Sequence, residues 1–138
     1  PSGIVAGTWY HVCFMRSANG ATTTVGDIYI NGVKQTKITD TTTSVTYTST
    51  GMLVGGETGG YRMDGNITNF RYVNGTAVYA VAGFTPPTAP LSNITNTKLL
   101  LLASTSGTFT NDSSTANAGS PYPVTNVNGA TFSALTPF

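Results

Sequence analysis

The sequence predicts an all-β domain built from many short strands, a sandwich or a barrel, and three observations carry that expectation. Thr supplies roughly a fifth of the 138 residues while charged residues supply only 8%, and a β-branched hydroxyl residue suits the solvent face of a strand better than a helix. Short β-prone segments are divided by Gly, Asn and Pro at close intervals. No stretch places apolar residues at helical spacing with capping signals, apart from a candidate single turn over residues 76–82. A chain of this length is expected to form one domain around one hydrophobic core.

The first strand is expected over Thr8 to Arg16, where both faces carry apolar or aromatic residues as in a covered central strand. Ser17 to Gly20 reads as a turn. Thr22 to Val25 then runs through Gly26 into Asp27-Ile28-Tyr29-Ile30, and Asn31-Gly32 leads into Val33-Lys34-Gln35-Thr36. Asn-Gly between two β-prone segments is the strongest local hairpin signal, because both residues tolerate positive φ. Residues 41–50, rich in Thr and Ser with Val45 and Tyr47 two apart, read as an exposed or edge strand. Met52 to Gly56 reads as a short buried strand entering a Gly-rich loop that ends at Tyr61-Arg62-Met63-Asp64-Gly65. Asn66 to Val73 is another strand, with a bulge expected near Thr68-Asn69, since Ile67 and Phe70 break the two-residue period. Pro86, Pro87 and Pro90 make residues 84–90 an extended strap that cannot enter a ladder. The aliphatic run Lys98 to Leu102 fits a buried strand. The tail beyond Asp112 carries no charge and is expected to give at most two or three short strands.

Composition excludes several function classes. The formal net charge is +1 with the six cations scattered, so no basic stripe exists to displace counterions from a nucleic acid. Cys13 is the only cysteine, which excludes an internal disulfide and a cysteine-based metal site. There is no charged-then-apolar leader and no apolar run near the length of a membrane span, so no membrane insertion is expected. Four triplets, beginning at Asn66, Asn74, Asn93 and Asn111, match the glycosylation acceptor pattern. Such triplets are expected by chance in a chain this rich in Asn and Thr, and glycosylation is not expected.

Five blocks in order resemble a known family. Gly7-Thr8-Trp9-Tyr10-His11-Val12 is similar to the Trp-x-His-Val strand of laminin-G-like, concanavalin A-type domains, and Ile28 to Val33 to their Asn-Gly hairpin. Leu53 to Gly56 and Met63 to Arg71 resemble the next strand pair. Asn74 to Tyr79 and Phe84 to Leu91 resemble the closure found in versions carried by bacteriophages. The resemblance spans residues 7–91 and implies a concanavalin A-like, jelly-roll β-sandwich of two antiparallel sheets. Residues 1–91 are taken as the matched sandwich strands. Residues 92–138 match poorly and are taken as additional short strands that pack on the same unit or open the next repeat. Members normally carry strands before the Trp strand, so either the chain is a fragment of a longer protein, the preferred reading, or residues 92–138 supply those strands in permuted order. Trp9, Val12, Phe14, Ile28, Ile30, Leu53, Ile67 and Phe70 are expected to line the core.

Candidate chemistry is sparse. Hydrolysis of a glycoside needs two carboxylates roughly 5 to 9 Å apart, and Asp27, Asp40, Glu57, Asp64 and Asp112 never share a strand. A Ser or Cys nucleophile needs a base, and His11, the only histidine, reads as a packed residue beside Cys13. The domain is therefore expected not to be an enzyme, with no catalytic residues and no cofactor. Glu57, Asp64 and Asn66 have the donor types of a calcium site, but exposed polar loop residues are the simpler reading and no metal is expected. Trp9 belongs to the core by its place in the motif. Tyr61 and Arg62 close the Gly-rich loop, where an aromatic face and a planar donor fork can meet a sugar or a protein. Glu57, Tyr61, Arg62, Asp64 and Asn66 are thus the candidate ligand-binding set, with plain loop packing as the alternative.

The function expected is a non-enzymatic structural module of a virion, in capsid decoration, tail or fibre, with glycan or host-surface binding as a further capacity. The alternative is a secreted or cell-surface carbohydrate-binding module of bacterial origin. Expected partners are other virion proteins or copies of the chain itself in a homo-oligomer, through residues 41–50 or 113–138, with cell-surface glycans besides.

Overall fold

A computed structural model describes residues 3–18, 24–35, 38–40, 51–57, 59–115, 121–127 and 129–138, with only the strand backbone at 17–18, 24–25 and 38–40. Its regular structure is entirely β. The chain divides into two compact units, one from residues 1–47 with 77–87 and one from residues 48–76 with 88–138.

The first unit holds a four-stranded antiparallel sheet of β1 (Val12–Ala18), β2 (Thr24–Ile30), β3 (Val33–Lys34) and β4 (Ile38–Asp40). β2 is central, paired with β1 on one edge and with β3 and β4 on the other. The Asn31-Gly32 hairpin forms as expected: Ile30 faces Val33, and Asn31 and Gly32 take φ of 50° and 76°, the mirror-image turn whose twist matches the flanking strands. β1 begins at Val12, so Trp9-Tyr10-His11 enter the sheet as a loop rather than as strand. The side chain of Asn31 nevertheless holds His11, accepting from its N–H at 3.0 Å, and the Asn31 N–H donates to the His11 carbonyl at 2.8 Å.

Strand alternation decides which face is buried, and here the structure corrects the expected core. Cys13 and Met15 of β1 pair with Tyr29 and Asp27 of β2; Met15, Tyr29 and Asp27 are buried, Tyr29 and Asp27 at 0% exposure. Residues 77–87 pack on Tyr29, whose hydroxyl donates to the Val81 carbonyl at 2.8 Å. The Tyr79 and Phe84 rings stack at 3.9 Å, His11 sits edge-on to both, and Tyr29 lies tilted on Phe84. A side chain at Gly32 would overlap the Phe84 carbonyl oxygen, and Phe84 N–H donates to Gly32 O at 3.1 Å. Val12, Phe14, Ile28 and Ile30 do share one face, but it is the opposite one: Val12 and Phe14 are each 63% exposed and Ile28 and Ile30 are half-buried. The two-residue period is right and its phase reversed, because the aromatic segment 77–87, rather than an aliphatic strand, supplies the cover. Trp9 is half-buried.

The second unit is built on β5 (Phe70–Val73) and β6 (Thr97–Leu101), an antiparallel pair with an irregularity between Tyr72 and Val73. The aliphatic run is a strand as its composition predicts, and Leu100 is the buried anchor. Residues 66–69 do not join β5. Asn69 instead takes φ of 55° and its side chain accepts from the Leu91 N–H at 3.0 Å, so the departure expected as a bulge is a left-handed residue. Phe70 is half-buried, while Met52, Leu53, Val54 and Ile67 are exposed and outside any strand, against the expected buried strand at 52–56. Pro86 to Pro90 enter no ladder, and residues 76–82 form no helix. No strand occurs in the described tail beyond Asp112. Residues 41–50, expected as an edge strand, lie outside the described residues.

Candidate functional site

Backbone pairing at Gly56 and Arg62 makes the Gly-rich segment a hairpin. Glu57 N–H donates to Tyr61 O at 3.0 Å, Gly60 N–H to Glu57 O at 3.4 Å and Met63 N–H to Gly55 O at 2.8 Å. Gly60 takes φ of 95°, a conformation costly for any residue with a Cβ. These bonds pair the two arms of the turn around Gly60. Tyr61, 79% exposed, presents nearly its whole ring to solvent, and Arg62 beside it is exposed.

Of the five residues expected to form a site, Glu57, Tyr61 and Arg62 sit together on this hairpin, and Asp64 and Asn66 follow it in the exposed loop around Gly65. Among the described residues, no hydrogen bond or ion pair joins these five side chains. The Glu57 carboxylate folds over the loop, into the space a side chain on Gly59 would need. The arrangement offers an aromatic face, a guanidinium fork and amide and carboxylate groups at the rim. Groups of these types can stack on and hydrogen-bond a polar partner. Among the described residues no three His, Cys, Asp or Glu side chains gather as metal ligands.

Two acids have other work. Asp27 Oδ2 lies 2.8 Å from Lys34 Nζ, and the register makes the pair legible: Tyr29 faces Lys34, so Asp27, two residues before Tyr29 on the same face, is a diagonal neighbour of Lys34. The hydrogen bond to Asp27 raises the Lys34 pKa from its ordinary 10.5, against a smaller desolvation effect. Burial pushes the Tyr29 phenol above its ordinary 10.0, with the Lys34 cation opposing.

Asp112 is a structural hub. Its Oδ1 accepts from the N–H of Leu100 at 3.0 Å and of Ser114 at 2.8 Å, and its Oδ2 from Ser114 Oγ at 3.0 Å and Tyr122 N–H at 3.2 Å. Burial alone would raise its pKa, but the N–H groups of Ser114, Leu100 and Tyr122 together hold it below the ordinary 3.8. The Thr110 to Ser114 turn thus ties the tail to β6.

A shallow open groove in the second unit is lined by Asn93, Ile94, Asn96, Lys98 and Thr115 among others, and none of the five expected site residues lines it. Asn93, which opens one of the acceptor triplets, donates its amide N–H to Thr115 Oγ1 at 2.7 Å.

The family described as the concanavalin A-like lectin/glucanases superfamily, laminin-G type, matches residues 1–78, more than half of the chain. No curated protein and no solved structure matches it.

Proposed function

The chain belongs to the concanavalin A-like lectin/glucanase superfamily, with the all-β jelly-roll class of that superfamily, and we propose that within it the protein is a non-catalytic structural module of a phage particle that meets its partner through the hairpin from Glu57 to Asn66. One observation carries the recognition half of this reading: the hairpin paired at Gly56 and Arg62 presents Tyr61, 79% exposed, beside Arg62. An exposed aromatic face beside a guanidinium fork is the pairing that stacks on and hydrogen-bonds a polar partner. The non-catalytic half rests on the acids. Asp27 is tied up with Lys34 and Asp112 with four donors, while the Glu57 carboxylate is folded onto its own loop. The particle half rests on the resemblance of residues 74–79 and 84–91 to the closure of phage-borne versions, and on a chain of which only 8% is charged.

The same Tyr61 platform favours a second reading, a secreted or cell-surface carbohydrate-binding module. Both readings place recognition on one loop, so one experiment tests the loop. The whole chain is applied to a glycan microarray and to intact bacterial cells, alongside Tyr61→Ala and Arg62→Ala. The loop reading expects binding that falls at least roughly tenfold in both variants with thermal stability unchanged. Binding that survives both substitutions places recognition elsewhere.

A further inference from the structure

Asn-Gly is the dipeptide most prone to a reaction of the chain with itself, because a glycine next door leaves its amide nitrogen unscreened by a side chain. Two such pairs lie wholly among the described residues, with near-identical local sequences: Ile30-Asn31-Gly32 and Val73-Asn74-Gly75. Both asparagines are exposed, but what holds the side-chain amide and the following glycine differs.

Asn31 is held at both ends. Its side-chain oxygen accepts from His11 N–H and its own N–H donates to His11 O. Gly32 is buried, its carbonyl accepts from Phe84 N–H, and the Phe84 carbonyl closes on its Cα face. Neither the amide carbon nor the Gly32 nitrogen can swing without breaking this clamp.

Asn74, just past the end of β5, is exposed, as is Gly75. The Asn74 backbone N–H donates to Asn96 O at 3.1 Å, which fixes the residue's stem. Among the described residues, no hydrogen bond holds the Asn74 side-chain amide or the Gly75 N–H. A Cβ at Gly75 would meet only Asn96 Nδ2, at 3.8 Å, so the space around this peptide is open.

We propose that Asn74 is a site of spontaneous intramolecular deamidation and that Asn31 is protected from it by the fold. The Gly75 backbone nitrogen, losing its proton to water, attacks Asn74 Cγ and forms a new C–N bond. The bond from Cγ to Nδ2 breaks, and the side-chain nitrogen leaves as ammonia after taking up a proton. The product is a five-membered cyclic imide. Water then adds to either imide carbonyl and opens the ring, giving aspartate or its isomer linked through the side-chain carbon. No electrons are transferred, and water is the only co-reactant.

The product carries one more negative charge and takes the formal charge of the chain from +1 to zero, where colloidal repulsion is weakest. The isomeric product also lengthens the main chain by one carbon, next to the bond from Asn74 N–H to Asn96 O.

The test is to incubate the whole chain in mildly alkaline buffer, native and in urea, and to locate the amide-to-acid mass gain by proteolysis and fragment sequencing. Unfolding removes the clamp, so in urea Asn31 and Asn74 convert at comparable rates. In the native protein Asn74 converts faster than Asn31 by roughly tenfold or more, because Asn31 must wait for local opening. Native Asn31 converting as fast as Asn74, or native Asn74 unchanged while the unfolded chain converts, overturns the proposal. The variant Asn74→Gln serves as the control, in which the gain assigned to this site disappears.

Discussion

Asp112 is the residue on which the acid limb of stability turns. Its folded pKa lies below the ordinary 3.8, so the unfolded chain takes up its proton first as pH falls. The stabilisation is complete above pH 3.8 and is lost as pH drops through the folded value. Asp112→Asn is therefore expected to lower stability at neutral pH and to flatten the fall below pH 4, as read by denaturant unfolding across a pH series; a parallel acid limb in the variant would remove Asp112 from this role. The Asp27 and Lys34 pair acts at the other end of the scale. Lys34 and Tyr29 are both raised, so each keeps its proton longer folded than unfolded. The contribution of Tyr29 is complete below pH 10.0 and that of Lys34 below pH 10.5, and each is lost as pH rises through the folded value. Removing one partner strands a fully buried carboxylate, which costs more than removing both. Lys34→Met is thus expected to be less stable than the double variant Asp27→Asn with Lys34→Met, and a double variant that is the weaker of the two would show the pair to be incidental.

At the scale of elements, the buried face of each sheet makes the contrasting prediction. Leu100→Ala removes a side chain at 2% exposure and should cost about 2 to 5 kcal/mol. Phe14→Ala, on the exposed face of β1, should cost under about 1 kcal/mol. Equal losses in urea unfolding would mean that the face of β1 and β2 with Val12 and Phe14 is the buried one. This reversal also shows how far sequence goes. Asn31-Gly32 fixed its own hairpin, because two positive φ values are a local demand that local residues meet, and the run Lys98 to Leu102 was legible as a strand, though it is buried at Leu100 and only half-buried at its neighbours. Which face of β1 is covered is not local. It depends on residues 77–87, some 60 positions away in sequence, whose Tyr79 and Phe84 carry no periodic signal. For the same reason Met52 to Val54 read as a buried strand from composition alone, yet remain exposed. Among the site residues, the loop carrying Glu57, Tyr61 and Arg62 was legible from its glycines but its hairpin pairing was not, while the roles of Asp27 in pairing Lys34 and of Asp112 in binding backbone were set by register and by a turn, not by spacing along the chain.

For the molecule as a whole, family membership follows from the match over residues 1–78, and the remaining question is what such a domain is for. A chain with few charges, only 8% of its residues, suits a protein packed in an assembly that meets other surfaces at a few points. A carbohydrate-binding module attached to a secreted enzyme would be met free in the medium instead. The two differ in where the chain is found. Antibody raised against the whole chain, applied to phage particles purified by density gradient from the lysate that produces it and viewed by electron microscopy, reads this directly. The account predicts label on the particles at regular positions, with the chain co-sedimenting in stoichiometric amount. Particles free of label, with the chain recovered only from the soluble fraction, would contradict it.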